Sequence, residues 1–552
     1  MGFKQVFNDV DRIRHIVNVF FKYEFGFFID KLGLKDHLTI GSRFNRQAFR
    51  QEVDTSPVKL RKAMEELGGG FVKLGQLLSL RPDLIPKEYC EEFSKLQDEM
   101  EGFGFDIVKE TIEKEYGKPL NDVFLKFEPK PIAAASIGQV HRAWLKTGKK
   151  VAVKVKRPFI DKVFNADIDL LKQVSRAITK YYPELKDYDI DAIVKEFERY
   201  TQDELDYNVE ARHIELFYRA FALDKNIRIP RVYFEHTTRN VLVMEYINGV
   251  KLKDAEKGSY DKRIVVRNFV DGMIKQILEN DIFHADPHPG NVFILPENKI
   301  AFLDFGIIGR INKDMQKKVE NVFIGLALGE REKIAQAFVD IGFVDKNVDV
   351  ERFKEDLSAE LGRYYDVSLK EIDMKGFFYS VLHIARKYKM KFPANFVLLM
   401  KAMATAEGLA KEIDPDFKYV EAWKQHARKI IRKRSGLDYM VGNLKNNAYQ
   451  FQEFFSEMPS NFKKLLIGRE HIKVDVNELD IKKFTLSVDN AITRIAIGLI
   501  IGALLLSSAF IIAFGTGVGI LGIPNIALIY ILIAIILGII LIRSVNREKG
   551  GV

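Results

Sequence analysis

Hydrophobic and polar positions give the chain three textures. Up to about residue 120 the apolar residues recur at helical spacing. Ile13, Ile16, Val17, Phe20 and Phe21 form one stripe, and two helices are expected between Val58 and Glu101, separated where Pro82 and Pro86 punctuate SLRPDLIPKEY. The first stripe suits either a helix on a membrane surface or one docked on the main domain. From Asn121 the period shortens to two: VFLKF, SIGQVHRAWL and KKVAVKV read as strands, with Gly148 turning the last two into a hairpin. Helical spacing returns from Asp161 to Phe221, and VYFEHTTRNVLVMEY adds two strands. The rest is helical except for HADPHPGNVFILPENKIAFLDFG, from His284 to Gly306. Strands first and helices later predict an α+β protein with a small sheet-bearing lobe and a larger helical lobe.

The third texture is uncharged. Ile495 to Phe514 has the length of about 20 residues that a bilayer core requires, and Ile526 to Ile542 follows after GTGVGILGIPN. The expectation is a two-helix transmembrane hairpin, with a pair of buried core helices as the alternative. Lys482, Lys483 and Arg494 precede it, and Arg543, Arg547 and Lys549 follow it. Positive charge on both flanks places both ends, and the main domain, on the cytoplasmic side of the cell membrane. The expected divisions are an N-terminal helical segment (1–57), a helical extension (58–120), a small lobe (121–250), a large lobe (251–440), a juxtamembrane segment (441–490) and the hairpin (491–545).

Composition narrows the class. Of 552 residues, 47% are hydrophobic and 29% charged, which describes a packed protein. Cys90 is the sole cysteine, so no intramolecular disulfide and no cysteine-based metal site can form. The net charge of +9 is spread thinly over 85 basic and 76 acidic residues. No basic block with interleaved aromatics occurs, so a nucleic-acid partner is not expected. The N-terminus lacks a cleavage site for a secretory signal, and Val6 breaks the myristoylation pattern.

Candidate chemistry begins in VAVKVKRP, where alternation sets Val151, Val153 and Val155 on one face and Ala152, Lys154 and Lys156 on the other. An ammonium on an inward face needs an anion, and nucleotide phosphate is one candidate; the bland reading is a half-exposed strand. Upstream, Ala133, Ala134, Ala135, Ser136, Ile137, Gly138, Gln139 and Val140 make a small-residue strand-turn-strand able to approach phosphate, or else a hairpin packed on a helix. In DELDYNVEARH, Asp206 and Glu210 share a helix face at i,i+4 and need a cation nearby, unless the face is simply solvated. Lys154 is the expected partner of Glu210, which leaves Glu204 and Asp206 for another lysine or a metal. Asp286, Asn291 and Asp304 have the spacing of a phosphoryl-transfer loop and its Mg²⁺ ligands. His284 and His288 share i,i+4 spacing, but Pro287 opposes a helix there, so both read as structural.

FVKLGQ, AAASIGQVH, VAVKVKRP, ELDYNVEA, HADPHPGN and DFG, in that order, resemble the UbiB family, also called the ABC1 family of atypical kinase-like proteins, in its prokaryotic form with a C-terminal hairpin. The resemblance implies a protein-kinase-like two-lobe fold that binds ATP or ADP with Mg²⁺. It implies Lys154 on the phosphates with Glu210 as its partner, Asn291 and Asp304 as metal ligands, and Asp286 in the catalytic-loop position. The adenine is expected on the backbone of Glu245, Tyr246 and Ile247. Lys73 and Gln76 match a regulatory KxGQ motif whose helix covers the peptide site, with the lysine reaching Glu204 and Asp206. The absence of an Ala-Pro-Glu triplet after DFG also disfavours a peptide acceptor. The implied role is an ATPase or atypical kinase supporting isoprenoid-quinone biosynthesis at a lipid membrane. Partners would include anionic lipids, isoprenoid or phenolic quinone precursors, and other proteins of quinone biosynthesis. A protein kinase and a nucleotide-binding scaffold are the alternatives.

Overall fold

Ile16, Val17 and Val19 are buried along α1 (Asp9–Lys22), and Ile16 and Val19 pack into a cluster with Met64, Leu67 and Phe71. The docked alternative therefore holds for this helix. The computed structural model describes residues 9–25, 56–96, 101–181, 190–252, 254, 260–343, 349–365, 373–434, 497–511, 519–520 and 523–549. Two units divide the chain, Met1–Gly442 and Asn443–Val552.

Between Val58 and Glu101 the structure has three helices rather than the expected two: α2 (Pro57–Leu67), α3 (Gly69–Ser79) and α4 (Lys87–Phe93). The added break falls at Gly68 and Gly69, whose φ values of 62° and 54° belong to the left-handed region that glycine enters freely. Beyond it the Gly70 N–H donates to the buried Asp167 carboxylate at 2.9 Å, and Arg12 clamps the same carboxylate at 2.7 Å. An anion at the first turn of α3 also suits the helix dipole.

After α5 (Phe105–Tyr116) come β1 (Phe124–Phe127), β2 (Ala133–Ala134), β3 (Gly138–Leu145) and β4 (Lys150–Lys156). The helical zone that follows holds α6 (Ile160–Tyr181), α7 (Ile190–Glu204) and α8 (Tyr207–Ala220). Next are β5 (Ile227–Arg228), β6 (Val241–Glu245) and β7 (Val250–Lys251). The small-lobe sheet runs β1-β3-β4-β6, with β2 paired to β3. Val151, Val153 and Val155 face a core shared with Val108 and Ile112 of α5, which leaves Lys154 on the opposite face, as the alternation predicts.

The large lobe opens with α9 (Lys262–Leu278), β8 (Ile282–His284), β9 (Val292–Ile294), β10 (Ile300–Phe302) and β11 (Ile308–Arg310). It continues through α10 (Lys313–Leu328), α11 (Arg331–Ile341), α12 (Val350–Tyr365), α13 (Met374–Lys387), α14 (Ala394–Ile413) and α15 (Tyr419–Arg434). One apolar core joins Phe164, Tyr207 and Phe217 to Phe269, Phe302, Phe305 and the helices beyond.

In the second unit, residues 497–511 are helical and a further helix spans Asn525–Lys549. Leu499, Leu506, Phe510, Leu532 and Ile535 are exposed on them, while Ser508, Ala527 and Ala534 are buried. Among the described residues no helix is long and apolar enough to cross a membrane. The expected first span is described only over 497–511, and side chains of the second only to 539 and at 541. The segment 441–490, with Lys482 and Lys483, and also Arg494 lie outside the described residues, as do the side chains of Arg543, Arg547 and Lys549.

Candidate functional site

Helix α8 positions the site from one face. Glu210, His213 and Phe217 recur at i, i+3 and i+7, so all three side chains point the same way. Glu210 accepts two hydrogen bonds from Lys154 Nζ, at 3.0 and 2.9 Å. His213 Nδ1 lies 2.9 Å from the Phe305 carbonyl oxygen, and the Phe217 and Phe305 rings sit 4.7 Å apart between centroids. One helix therefore links the lysine strand of the small lobe to the Asp304-Phe305-Gly306 segment of the large lobe.

Strand register brings the large-lobe groups together. Phe302 pairs with Val292 across β10 and β9, and the Leu303 N–H donates to the Asn291 carbonyl at 2.8 Å. Asn291 and Asp304 thus flank the same end of this hairpin. Asp304 adopts a left-handed backbone, with φ 58°, and its Oδ1 accepts a 3.3 Å bond from the Gly306 N–H. His284 braces the loops: its Nε2 is 3.1 Å from the Leu303 carbonyl oxygen, and its Nδ1 accepts from the Asp286 N–H at 3.2 Å. This is the structural role expected for it.

The charges are coupled. Burial opposes the Lys154 cation, but Asp304 and Glu210 together hold its amine well above the ordinary lysine value. Lys154, with help from Lys73 and His284, holds Asp304 below the ordinary aspartate value, although that residue is exposed to solvent. Glu210 is raised, by burial first and then by Asp304, because one ammonium does not offset several carboxylates. An acidic surplus of this kind suits a divalent cation. Among the described residues no group of three or more His, Cys, Asp and Glu side chains could hold a metal by itself. Asn291 and Asp304 fit Mg²⁺ in the form that takes one or two protein oxygens and completes its shell with phosphate and water.

The flap divides into two kinds of residue. Ala133 is exposed and Ala134, Ala135 and Val140 are half-buried, with the turn closed by the Ala135 N–H on the Gly138 carbonyl at 2.8 Å. Ile137 packs in the main core, and Gln139 is fully buried, its amide bonded to both the N–H and the carbonyl of Phe103 at 2.7 and 3.1 Å. Those two side chains hold the flap instead of lining a ligand surface. A Cβ on Gly138 would collide with the Tyr207 hydroxyl and the Val155 carbonyl, so this glycine is required by packing. Ser136 Oγ and the Tyr207 hydroxyl are buried without a hydrogen-bond partner among the described residues. Sequence reading passed over Tyr207; its i,i+3 relation to Glu210 on α8 is the signal that finds it.

At the lobe junction, the Glu245 N–H donates to the Arg231 carbonyl at 2.8 Å and the Tyr246 N–H to the Lys150 carbonyl at 3.2 Å. Those two donors are committed and are not open to a nucleotide base. In the extension, Lys73 reaches Glu204 at 2.5 Å. Asp206 instead caps α8, accepting from the Asn208 N–H at 2.9 Å, and Gln76 reaches the Leu96 carbonyl at 3.4 Å.

A sheet-borne lysine paired to a helix glutamate, over a loop and hairpin presenting two aspartates and an asparagine, defines the kinase-like class. Comparison with known proteins narrows it. Residues 95–338 match the ABC1 atypical kinase-like domain, 357–418 the UbiB helical domain and 479–547 the ABC1/UbiB kinase-like C-terminal domain. An uncharacterized protein of Synechocystis sp. is 34% identical over 70% of this chain and 66% of its own length. One from Clostridium pasteurianum is 30% identical over 98% of this chain and 99% of its own. The probable protein kinase UbiB of Marinobacter nauticus is 33% identical over 73% of this chain and 75% of its own. The chain belongs to the ABC1/UbiB family of atypical kinase-like proteins.

Proposed function

We propose that this protein is a membrane-associated, Mg²⁺-dependent ATPase or small-molecule kinase that supports isoprenoid-quinone biosynthesis. The single observation that carries the nucleotide part is the convergence of Lys154, Glu210 and Asp304: Glu210 accepts two hydrogen bonds from Lys154, and Lys154 and Asp304 favour each other's charged form. Lys154 would meet phosphate oxygens, Asn291 and Asp304 would hold the metal, and Asp286 would orient the attacking group. Mg²⁺, when bound, would neutralise charge on the phosphates; the chain's own residues orient them and limit access of water.

The Marinobacter relative is named a probable protein kinase, yet a peptide acceptor is disfavoured here. Lys73 stands on α3 within electrostatic reach of Asp304, and Arg386 of α13 fastens the following turn through the Pro82 and Asp83 carbonyls at 3.1 and 3.2 Å. A helix so placed occupies the approach to the site. The quinone pathway rests on the family resemblance, and membrane attachment rests on the apolar C-terminal runs and the exposed Leu499, Leu506, Phe510 and Leu532.

Full-length protein with anionic lipid vesicles, labelled ATP, Mg²⁺ and cell lysate tests this reading. Label should leave ATP and appear in phosphate, lipid or a small phenol, and Asp304→Asn should abolish that turnover while vesicle binding persists. Turnover unchanged in Asp304→Asn, or label accumulating on a protein other than this one, would overturn it.

A further inference from the structure

Asp286 lies within electrostatic reach of a second cation, supplied by the helical domain. Lys401 lies on α14, which packs against β11, and β11 pairs with β8, the strand that runs into the Asp286 loop. The charged groups that act on Lys401 are Glu91 from the extension, Lys375 from α13, and Asp286. None neutralises it by contact. Glu91 is shared by Lys375 at 3.5 Å and Lys87 at 3.8 Å. The Cys90 thiol, pushed up to about 12 by burial, stays protonated and donates to the Leu78 carbonyl at 3.7 Å.

Both Lys401 and Asp286 are half-buried, and among the described residues neither side chain makes a hydrogen bond or ion pair. Burial lowers the Lys401 amine from the ordinary lysine value, the Lys375 charge adds to that, and the acidic groups only partly offset it. A recessed cation without a partner is costly to keep. Opposite charges within electrostatic reach that make no ion pair leave each open to another partner.

We infer that Lys401 is an oxyanion-binding residue of the transfer site, holding a phosphoryl group or an acceptor carboxylate against Asp286 on the side closed by the extension. The nucleotide reading above bears on where the oxyanion comes from; the site itself stands on the two unpaired side chains.

Full-length protein, Lys401→Met and Lys401→Arg should be titrated calorimetrically with inorganic phosphate alone, benzoate alone, Mg-ADP and Mg-ATP. The Met variant should lose about tenfold or more in affinity for at least one oxyanion probe, and the Arg variant should retain most of it. A loss for ATP but not ADP assigns the terminal phosphate; a loss for benzoate with both nucleotides unchanged assigns an acceptor carboxylate. The melting midpoint of the Met variant should equal or exceed wild type, since an unpaired recessed charge is removed, whereas a structural lysine would lower it. Affinities for phosphate, benzoate and ATP all within about twofold of wild type would overturn the inference. So would a wild-type protein that binds none of the three. Should wild type bind phosphate or benzoate but no ATP, the nucleotide reading fails and the first two probes still decide the role of Lys401.

Discussion

Glu210→Gln alters one atom and one charge at the least accessible point of the site. Glu210 holds Lys154 through bonds of 3.0 and 2.9 Å, and the two side chains are only 5% and 17% exposed. Removing one partner of a buried pair costs about 3–5 kcal/mol, and a hydrogen bond to a charged group contributes about 1.5–3 kcal/mol. Two features of the structure reduce the larger figure. Glutamine keeps one acceptor oxygen, and Asp304 remains to compensate the ammonium, so a loss of about 2 kcal/mol is expected.

The lobes share one core within the unit Met1–Gly442, so at about 2.1 cal/mol/K per residue that loss lowers the melting midpoint by about 2 °C. Calorimetric melting of wild type, Glu210→Gln, Lys154→Met, Glu210→Leu and the Lys154→Met/Glu210→Leu double variant measures it. The double variant should lose less than the sum of its single changes by about 1–3 kcal/mol, because neither charge is then stranded. Nucleotide turnover should fall in Glu210→Gln as the lysine swings toward Asp304. A Glu210→Gln protein that melts with wild type, together with additive single variants, would refute the view that the pair is a working contact.

Further outcomes follow from other contacts. Gly138→Ala drives a methyl group into a backbone carbonyl and a rigid phenol, so it should cost about 1–3 kcal/mol and weaken nucleotide binding; Tyr207→Phe in the same chain should restore only part of the loss, as measured by melting and nucleotide titration. Lys73→Ala breaks the contact with Glu204 and should speed amide exchange in Gly69–Ser79 and change the preference between ATP and ADP; an unchanged exchange pattern would remove Lys73 from any latch. Burial alone would raise Asp224, but the Lys275 contact and the Asn226 and Ile227 N–H groups bring it below the ordinary aspartate value. In that interval the unfolded chain binds more protons, so this stabilisation is complete above the ordinary value of about 3.9 and is lost as pH falls through the lower folded value. Urea melts across pH should therefore show the gap between wild type and Asp224→Asn constant near neutrality and closing below about pH 4.

Much of this arrangement is legible in the sequence because periodicity fixes direction. Alternation alone puts Lys154 opposite the valine face, and the length of the hairpin between Asn291 and Asp304 forces their ends together. What the sequence hides is which motif residues serve packing. Ile137 and Gln139 sit inside the flap motif, but their side chains are buried by contacts with residues distant in the chain, Gln139 by a segment 36 residues away. Asp206 looks like a partner for Lys73 until the break between α7 and α8 makes it a helix cap, a local choice that depends on where α7 ends. The sequence marks a break only at Pro82 and Pro86, and the left-handed backbone of Gly68 and Gly69 shows that a helix ends there too.

The stretch from Glu204 to Phe217 joins these parts into one equilibrium. Glu204 receives Lys73 from the extension, and the Leu205 carbonyl accepts from Lys156 of β4 at 2.7 Å. Glu210 holds Lys154, while His213 and Phe217 hold Phe305 next to Asp304. No long loop intervenes, since α8 begins three residues after Glu204 at Tyr207. Movement of α3 away from Glu204 therefore acts on a rigid element that touches both lobes. By linkage, a nucleotide that binds more tightly when α3 is docked must tighten that docking by the same factor, and one that binds more tightly when α3 is released must loosen it equally. On the proposed function the extension and the nucleotide site would report on each other through one helix, and Lys73 is expected to set nucleotide preference without direct contact with the nucleotide.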